Sequence, residues 1–403
     1  MTTPTSATQR SQRLLDLAGR LADDFATRAD EHDRENTFPF ENFEAMKREN
    51  YTSLPIPEEV GGLGGTLLDL CLCQERLAMG DASTALAVNM HLFAVGSMAE
   101  QVGMTDPQAM LMAGMLAQQH WIIGGGFTEA EIGGNWGFPT TTAVRQEHEG
   151  VRGFVLNGRK TFTSMAPIID FFAINTSTTD DEGKPVIGMF TVPRATQGIE
   201  IVETWDTMSM RATASHDLVI KDAWVPEQAL VAMRQPGDTD VGANIILSWF
   251  CGTVASVYLG IATAARDFAY DWAKTRKPVL FERPISHFPG VQFHAADIEV
   301  ELAAARALVH QTVQEWIGGG LRGRDDLARI VLMKYLATNA AVRIVDQAMG
   351  IVGAPGIFRR HPMQRFYRDV RAGPFHPMTN DVARELIGKT ALGIPMECQP
   401  RWG

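Results

Sequence analysis

Ten histidines and four cysteines are the obvious candidate ligands and nucleophiles in this 403-residue chain, and their spacing tests which chemistry is open. No HExxH or paired His/Cys spacing occurs, so no metal centre is expected. Cys71-Leu72-Cys73 is a lone CxC inside a helical pattern and reads as a pair of buried thiols. A serine hydrolase has no GxSxG to work with. Gly61-Gly62-Leu63-Gly64-Gly65 lacks the lysine and hydroxyl of a phosphate loop. It reads as a turn after a proline-bounded segment, with a phosphate cradle as the lesser alternative. Cys251 and Cys398 complete a cysteine set too small and scattered for a secreted framework, which points to a reducing, cytoplasmic compartment. With 47 acidic against 36 basic residues and a net charge of −11, nucleic acid is not an expected partner.

The elements that must position any site follow from periodicity. Leu14, Leu17, Leu21 and Phe25 recur at helical spacing after a Thr/Ser-rich start, Met1 to Arg13, that reads as a frayed tail. Phe43 to Met46 opens a second amphipathic piece, and helices continue over Leu67 to Gly80 and Ala82 to Ala99. After Trp121 the pattern changes to short β-branched and aromatic runs: Thr140 to Val144, Phe154 to Leu156, Phe171 to Ile174, Val186 to Val192 and Leu218 to Ile220. Asn157-Gly158 and Asp181-Glu182-Gly183 read as hairpin or loop signals between them. Helical period returns after Pro226, most clearly at Ile298, Leu302, Ala305, Val309, Val313 and Trp316, then over Leu327 to Met349 and around Val382, Leu386 and Ile387. The uncharged stretch Val241 to Ala265 is long enough to span a membrane, but its polar residues and a mean hydropathy of −0.07 for the chain mark it as a core helix.

Pro57-Glu58-Glu59-Val60-Gly61-Gly62-Leu63-Gly64, Phe127-Thr128-Glu129 and Leu156-Asn157-Gly158-Arg159-Lys160-Thr161-Phe162-Thr163-Ser164 resemble successive signatures of the acyl-CoA dehydrogenase superfamily. Later landmarks are similar too: Ser209-Met210-Arg211-Ala212-Thr213 with Val225-Pro226, Arg276 with Phe281, Gly353-Ala354-Pro355-Gly356, and Arg365-Phe366-Tyr367-Arg368-Asp369. The resemblance implies an α+β, mainly α, acyl-CoA dehydrogenase-like fold. Its parts are an N-terminal helical domain over residues 1–122, a middle β domain over 123–235 and a C-terminal four-helix bundle over 236–403.

It also implies FAD, lying between the β domain and the bundle, with a neighbouring subunit completing the site in a homotetramer built as a dimer of dimers. Phe127 and Thr128 fall where the family contacts the flavin ring, and backbone N–H groups with a hydroxyl suit its acceptor-rich pyrimidine edge. Phe162, Thr163 and Ser164 fall on a segment that lies beside the isoalloxazine. Arg276 and Phe281 match positions that reach a neighbour's pyrophosphate and adenine, where a guanidinium has a direct electrostatic reason. Thr379 and Asp381 match the last flavin contacts, although helix capping explains them nearly as well. Glu129 is expected beside the cofactor, and Asp217 on a β turn.

The chemical centre departs from the family. Its usual glutamate, which takes the α-proton of an acyl thioester, falls at Pro377, which also lacks the N–H that helps polarise the thioester carbonyl. The alternative base position falls at Phe250, with Cys251 in place of the usual arginine. A serine near the acyl-CoA entrance becomes Gly134 and a glutamine becomes Gly350, so CoA recognition is weakened. His376, beside the empty position, is the replacement acid-base candidate; a structural histidine packed between Phe375 and Pro377 is the other reading. Two reactions stand on this basis, the first preferred because the flavin landmarks are of the dehydrogenase type. One is α,β-dehydrogenation of a CoA or carrier-protein thioester, passing electrons to a flavoprotein or oxygen. The other is a two-component flavin monooxygenase fed reduced flavin. A flavin-binding protein without catalysis is the remaining possibility.

Overall fold

The computed structural model describes residues 6–102, 107–131, 137–236, 241–323 and 326–395. Among these residues six α-helices come first: α1 (Ser6–Ala26), α2 (Ala29–Glu35), α3 (Phe40–Arg48), α4 (Leu67–Gly80), α5 (Ala82–Val102) and α6 (Pro107–Gln119). The tail expectation is corrected, because α1 is already helical from Ser6; Arg10 and Ser11 reach Asp69, which tethers its first turns. Leu14, Leu17, Leu21 and Phe25 are buried as their spacing requires. Thr66 and Asp69 form a reciprocal capping box that starts α4.

Among the described residues eight strands follow: β1 (Ile123–Gly126), β2 (Thr142–His148), β3 (Val151–Thr163), β4 (Phe171–Thr179), β5 (Pro185–Pro193), β6 (Ile199–Val202), β7 (His216–Pro226) and β8 (Leu230–Arg234). They form one sheet in the order β6-β7-β3-β2-β4-β5-β8, with β1 parallel to β4. The hairpin expected at Asn157-Gly158 is absent; the β2–β3 turn lies at Glu149-Gly150, both with positive φ. Asn157 and Gly158 instead sit inside β3 at a bulge against β7, where Asn157 exchanges hydrogen bonds with Asp222. A Cβ on Gly158 would lie 2.4 Å from the Thr141 hydroxyl oxygen, so this glycine serves a close approach rather than a turn. Asp181-Glu182-Gly183 does connect β4 to β5.

The chain closes with α7 (Val241–Thr275), α8 (Pro289–Ile317), α9 (Leu327–Val352), α10 (Met363–Asp369) and α11 (Asn380–Leu392), which stops at Gly393 in the left-handed region. Among the described residues two helices, α5 and α7, are long and apolar enough to cross a membrane, yet 94% of the apolar window of α7 is buried inside the protein. It packs between α4, α5, α8 and α9 as the central core helix. Glu100 on α5 accepts the indole N–H groups of Trp249 on α7 and Trp316 on α8, locking the two helical regions together.

Candidate functional site

Strand β1 runs straight into Phe127 and Thr128, and a bridge pairs Thr128 with Thr161, whose N–H donates to the Thr128 carbonyl at 2.8 Å. Two segments separated by about thirty residues are thus brought edge to edge. Phe127 folds its ring back over Gly125, where a Cβ would come within 2.6 Å of that ring. At the end of β3, Phe162 (φ 57°) has its ring 60% exposed and edge-on to Trp205 at 5.8 Å. Alternation then buries Thr163 completely and leaves Ser164 half-buried at the rim. Of these three expected contacts, Phe162 and Ser164 face outward and Thr163 faces the interior.

Beneath this edge lies a buried ion pair. Glu129 and Lys160 are both fully buried and 2.5 Å apart. One Glu129 oxygen also accepts from the N–H and hydroxyl of Thr141, the other from those of Thr140. Burial alone would raise the carboxyl, but Lys160 and the threonine donors hold it down at about 2. Lys160 is itself depressed by burial and completes its donors on Asn175. Glu129 therefore acts one layer behind Thr128, fixing the loop rather than facing outward.

The vacant base positions form a single wall. Phe250 on α7 stands edge-on to the His376 ring at 6.4 Å and to Phe93 of α5 at 5.2 Å. His376 Nε2 lies 2.7 Å from the Tyr258 hydroxyl. Burial, reinforced by the Lys334 ammonium, pushes this imidazole down to about 3, so it is neutral at pH 7. The reading in which His376 merely packs between Phe375 and Pro377 is corrected: Phe375 is 75% exposed, and the imidazole's partners are on α7. Lys334 of α9, fully buried, donates to the carbonyls of His376 at 2.9 Å and Met378 at 3.1 Å, pinning the backbone on both sides of Pro377. Thr379 occupies the N-cap position of α11 without making a side-chain cap bond, and Asp381 lies in the first turn.

Arg276 directly follows the last residue of α7 and Phe281 lies further along the loop; both are exposed, and Arg276 makes no ion pair among the described residues. Asp217 is corrected from a turn to β7, where it pairs with Arg159 at 2.6 Å. The cradle alternative for Gly61 to Gly65 also ends, because all five N–H groups are spent on carbonyls of residues 53–58. Cys71, Cys73 and Cys251 are buried thiols, with Cys71 and Cys251 pushed up to about 12 by burial. No metal-holding cluster exists among the described residues. Gly134 and Cys398 lie outside the described residues. The sequence reasoning missed Tyr258, Lys334 and Ser215; the first two carry the signal of a polar side chain inside an otherwise apolar run, and Ser215 carries none.

Residues 8–119, 124–223 and 246–392 match, in turn, the N-terminal, middle and C-terminal domains described as acyl-CoA dehydrogenase. The chain belongs to the acyl-CoA dehydrogenase family. It is 36% identical to the putative acyl-CoA dehydrogenase YdbM of Bacillus subtilis, over 95% of this chain and 97% of the relative. It is 30% identical to the amino sugar nitrososynthase DnmZ of Streptomyces peucetius, over 96% and 94% respectively. KijD3, solved in complex with FMN and dTDP-3-amino-2,3,6-trideoxy-4-keto-3-methyl-D-glucose, superposes with a TM-score of 0.85 at 27% identity, over 99% of this chain and 97% of that one. FAD is the cofactor this family uses. The site's own chemistry fits a flavin: the shielded Thr161 hydroxyl has no partner among the described residues, and an exposed aromatic ring and a rim serine stand beside it.

Proposed function

We propose that this family member is a flavin-dependent monooxygenase that receives its flavin already reduced. The observation that carries the reading is the wall of Phe250 and Pro377, with its neighbouring imidazole neutral and engaged by Tyr258. Removal of a proton from carbon needs a base matched to the working pH, and a group held near 3 is several powers of ten too weak. Reduced flavin supplies activated oxygen when bound, a chemistry that requires no carboxylate at this wall. Phe93 and Phe250 exclude water from the reacting face, and Lys334 fixes the backbone around His376. His376 Nε2 and the Tyr258 oxygen share one hydrogen at 2.7 Å, which fixes the imidazole beside Phe250. The nitrososynthase relatives support this reading; the 36% identical putative dehydrogenase favours the other one, thioester dehydrogenation.

The two readings give opposite results. Anaerobic addition of acyl-CoA thioesters should leave the absorbance of bound oxidised flavin unchanged. Supplying reduced flavin, oxygen and a panel of nucleotide-linked amino sugars should incorporate isotopically labelled oxygen into product. His376→Ala should lower that yield by opening the packed face beside Phe250 and Tyr258, with flavin binding retained. Stoichiometric bleaching by a thioester, with enoyl product, would establish the dehydrogenase instead.

We also propose a homotetramer whose loop after α7 enters a neighbour. Val279 and Leu280 there are 100% and 93% exposed, apolar surface that an isolated chain would leave to water. Light scattering should give four times the 44.2 kDa chain mass, and Leu280→Asp should shift the population to smaller species. A wild-type monomer at micromolar concentration would remove the proposal.

A further inference from the structure

At one end of the bundle, helices α7, α8 and α9 enclose a small cavity beside the first residue of α4. Leu67, Val313, Trp316, Ile330 and Met333 line it together with two polar side chains, Ser248 and Thr312. Both are buried, at 3% and 2% exposure, and neither hydroxyl has a hydrogen-bond partner among the described residues. Elsewhere in the bundle Thr253, Ser256, Thr263 and Thr338 use their hydroxyls on the carbonyl four residues back. Ser248 and Thr312 leave that carbonyl alone and border the cavity instead.

A strap supplies the remaining lining residue. Gly318-Gly319-Gly320-Leu321-Arg322-Gly323 follows α8 and inserts Leu321, 7% exposed, among the cavity walls. With that side chain in place the gaps total about 180 Å³ yet admit no water-sized sphere, so water cannot serve the two hydroxyls. Leu321 holds its position at φ 59°, a left-handed conformation that a bulky side chain adopts only under strain. The closed form therefore carries two unpaired hydroxyls and one strained residue. Arg322 holds it shut, its guanidinium 2.7 Å from Glu100 on α5 and 3.6 Å above the Trp316 ring. Asn244 adds a second tether, its amide donating to the Gly323 carbonyl at 2.8 Å. Gly319, at φ 86°, gives the strap a pivot free of side-chain strain.

We propose that this cavity is a binding site for a small neutral molecule with an aliphatic end and one hydroxyl, a short-chain alcohol by class, and that the strap is its gate. Withdrawal of Leu321 opens room for a ligand of about one leucine side chain in size and relieves the strain at that residue. Ser248 and Thr312 each bring one hydrogen and free lone pairs, so a partner that both donates and accepts satisfies the two together, as an alcohol does. The aliphatic and indole walls take the hydrocarbon end. A charge would find no counter-ion among the lining residues, which excludes carboxylates and ammonium groups. The site stands whether the reaction at the His376 wall is oxygenation or dehydrogenation.

Calorimetric titration of the full chain with 1-butanol, and with 1-chlorobutane as its match in length without a hydroxyl, tests both parts. The wild type should bind 1-butanol saturably and about tenfold more tightly than 1-chlorobutane, the scale of a hydrogen-bonded pair. Ser248→Ala combined with Thr312→Val should remove that difference and leave the affinity for 1-chlorobutane unchanged. Leu321→Ala, which removes the plug and keeps the strap, should raise the affinity for both probes about tenfold, because less of the binding free energy goes into opening. Arg322→Ala should act in the same direction by releasing the strap from Glu100 and Trp316. Absence of saturable 1-butanol binding in both the wild type and Leu321→Ala would overturn the site. Equal wild-type affinities for the two probes, or a preference for 1-butanol that survives loss of both hydroxyls, would do the same. Affinities that Leu321→Ala and Arg322→Ala both leave at the wild-type value would overturn the gate.

Discussion

Glu129→Ala should destabilise the chain by about 3–5 kcal/mol, the cost of leaving a buried charge without its partner. The fully buried Lys160 ammonium would keep only the two oxygens of Asn175, and the Thr140 and Thr141 donors would lose their acceptor. Lys160→Met should cost less, because Glu129 would still accept four hydrogen bonds from the two threonines. Replacing both residues together, as Glu129→Leu with Lys160→Met, should cost less than the sum of the single changes. Urea unfolding of the four proteins reads these differences. Flavin affinity should fall along with stability in Glu129→Ala, since the Glu129 neighbour Thr128 belongs to the expected flavin-facing loop. Equal stability losses for Glu129→Ala and Lys160→Met would show that the ion pair, rather than the threonine donors, dominates this region.

This ion pair marks where sequence reasoning stops. Glu129 and Lys160 both lie within motifs that could be recognised, yet nothing in their spacing says that the two side chains meet 31 positions apart. What could be read is what local periodicity records: the helix that buries Leu14, Leu17, Leu21 and Phe25, the long bundle helices, and the switch to strands after Trp121. The misread hairpin has a physical reason. Asn157-Gly158 satisfies turn chemistry, but the same two residues suit a bulge, where the Asn side chain bonds across to Asp222 and the glycine clears Thr141. Glu149-Gly150, which does turn the chain, carries the weaker signal because glutamate seldom adopts positive φ. At the site, the motifs located Phe127, Phe162, Ser164 and His376. Their partners Tyr258, Lys334 and Ser215 come from other elements, and only the packing of α7 and α9 against the segment 373–379 brings the first two there.

Acid should unfold this protein through His91. Its ring is 1% exposed, with Nε2 2.9 Å from the Thr52 carbonyl and Nδ1 3.0 Å from the Ile123 N–H. The carbonyl can only accept and the N–H can only donate, so the imidazole is neutral with its hydrogen on Nε2. A second proton would have to enter between Nδ1 and a donor. Burial pushes the ring down to about 4 from the usual 6.5. Because the folded value is the lower one, stability is unaffected above 6.5 and is lost as pH falls toward 4, where the unfolded chain binds a proton that the folded chain refuses. The loss is about 1.4 kcal/mol per pH unit, or roughly 3 kcal/mol across the window. His376 adds a loss of the same sign, while Asp369, raised to about 7 by burial, opposes it, since the folded chain takes up that proton first. The comparison of wild type with His91→Gln removes both from the result. Glutamine offers a donor and an acceptor but does not titrate, so its stability between pH 6 and 4.5 should fall less steeply by one proton's worth. Parallel stability curves for the two proteins would show that His91 protonates without cost. Ile123 opens β1, the strand that leads into Phe127, so the low-pH loss of this contact should also release the flavin-facing loop.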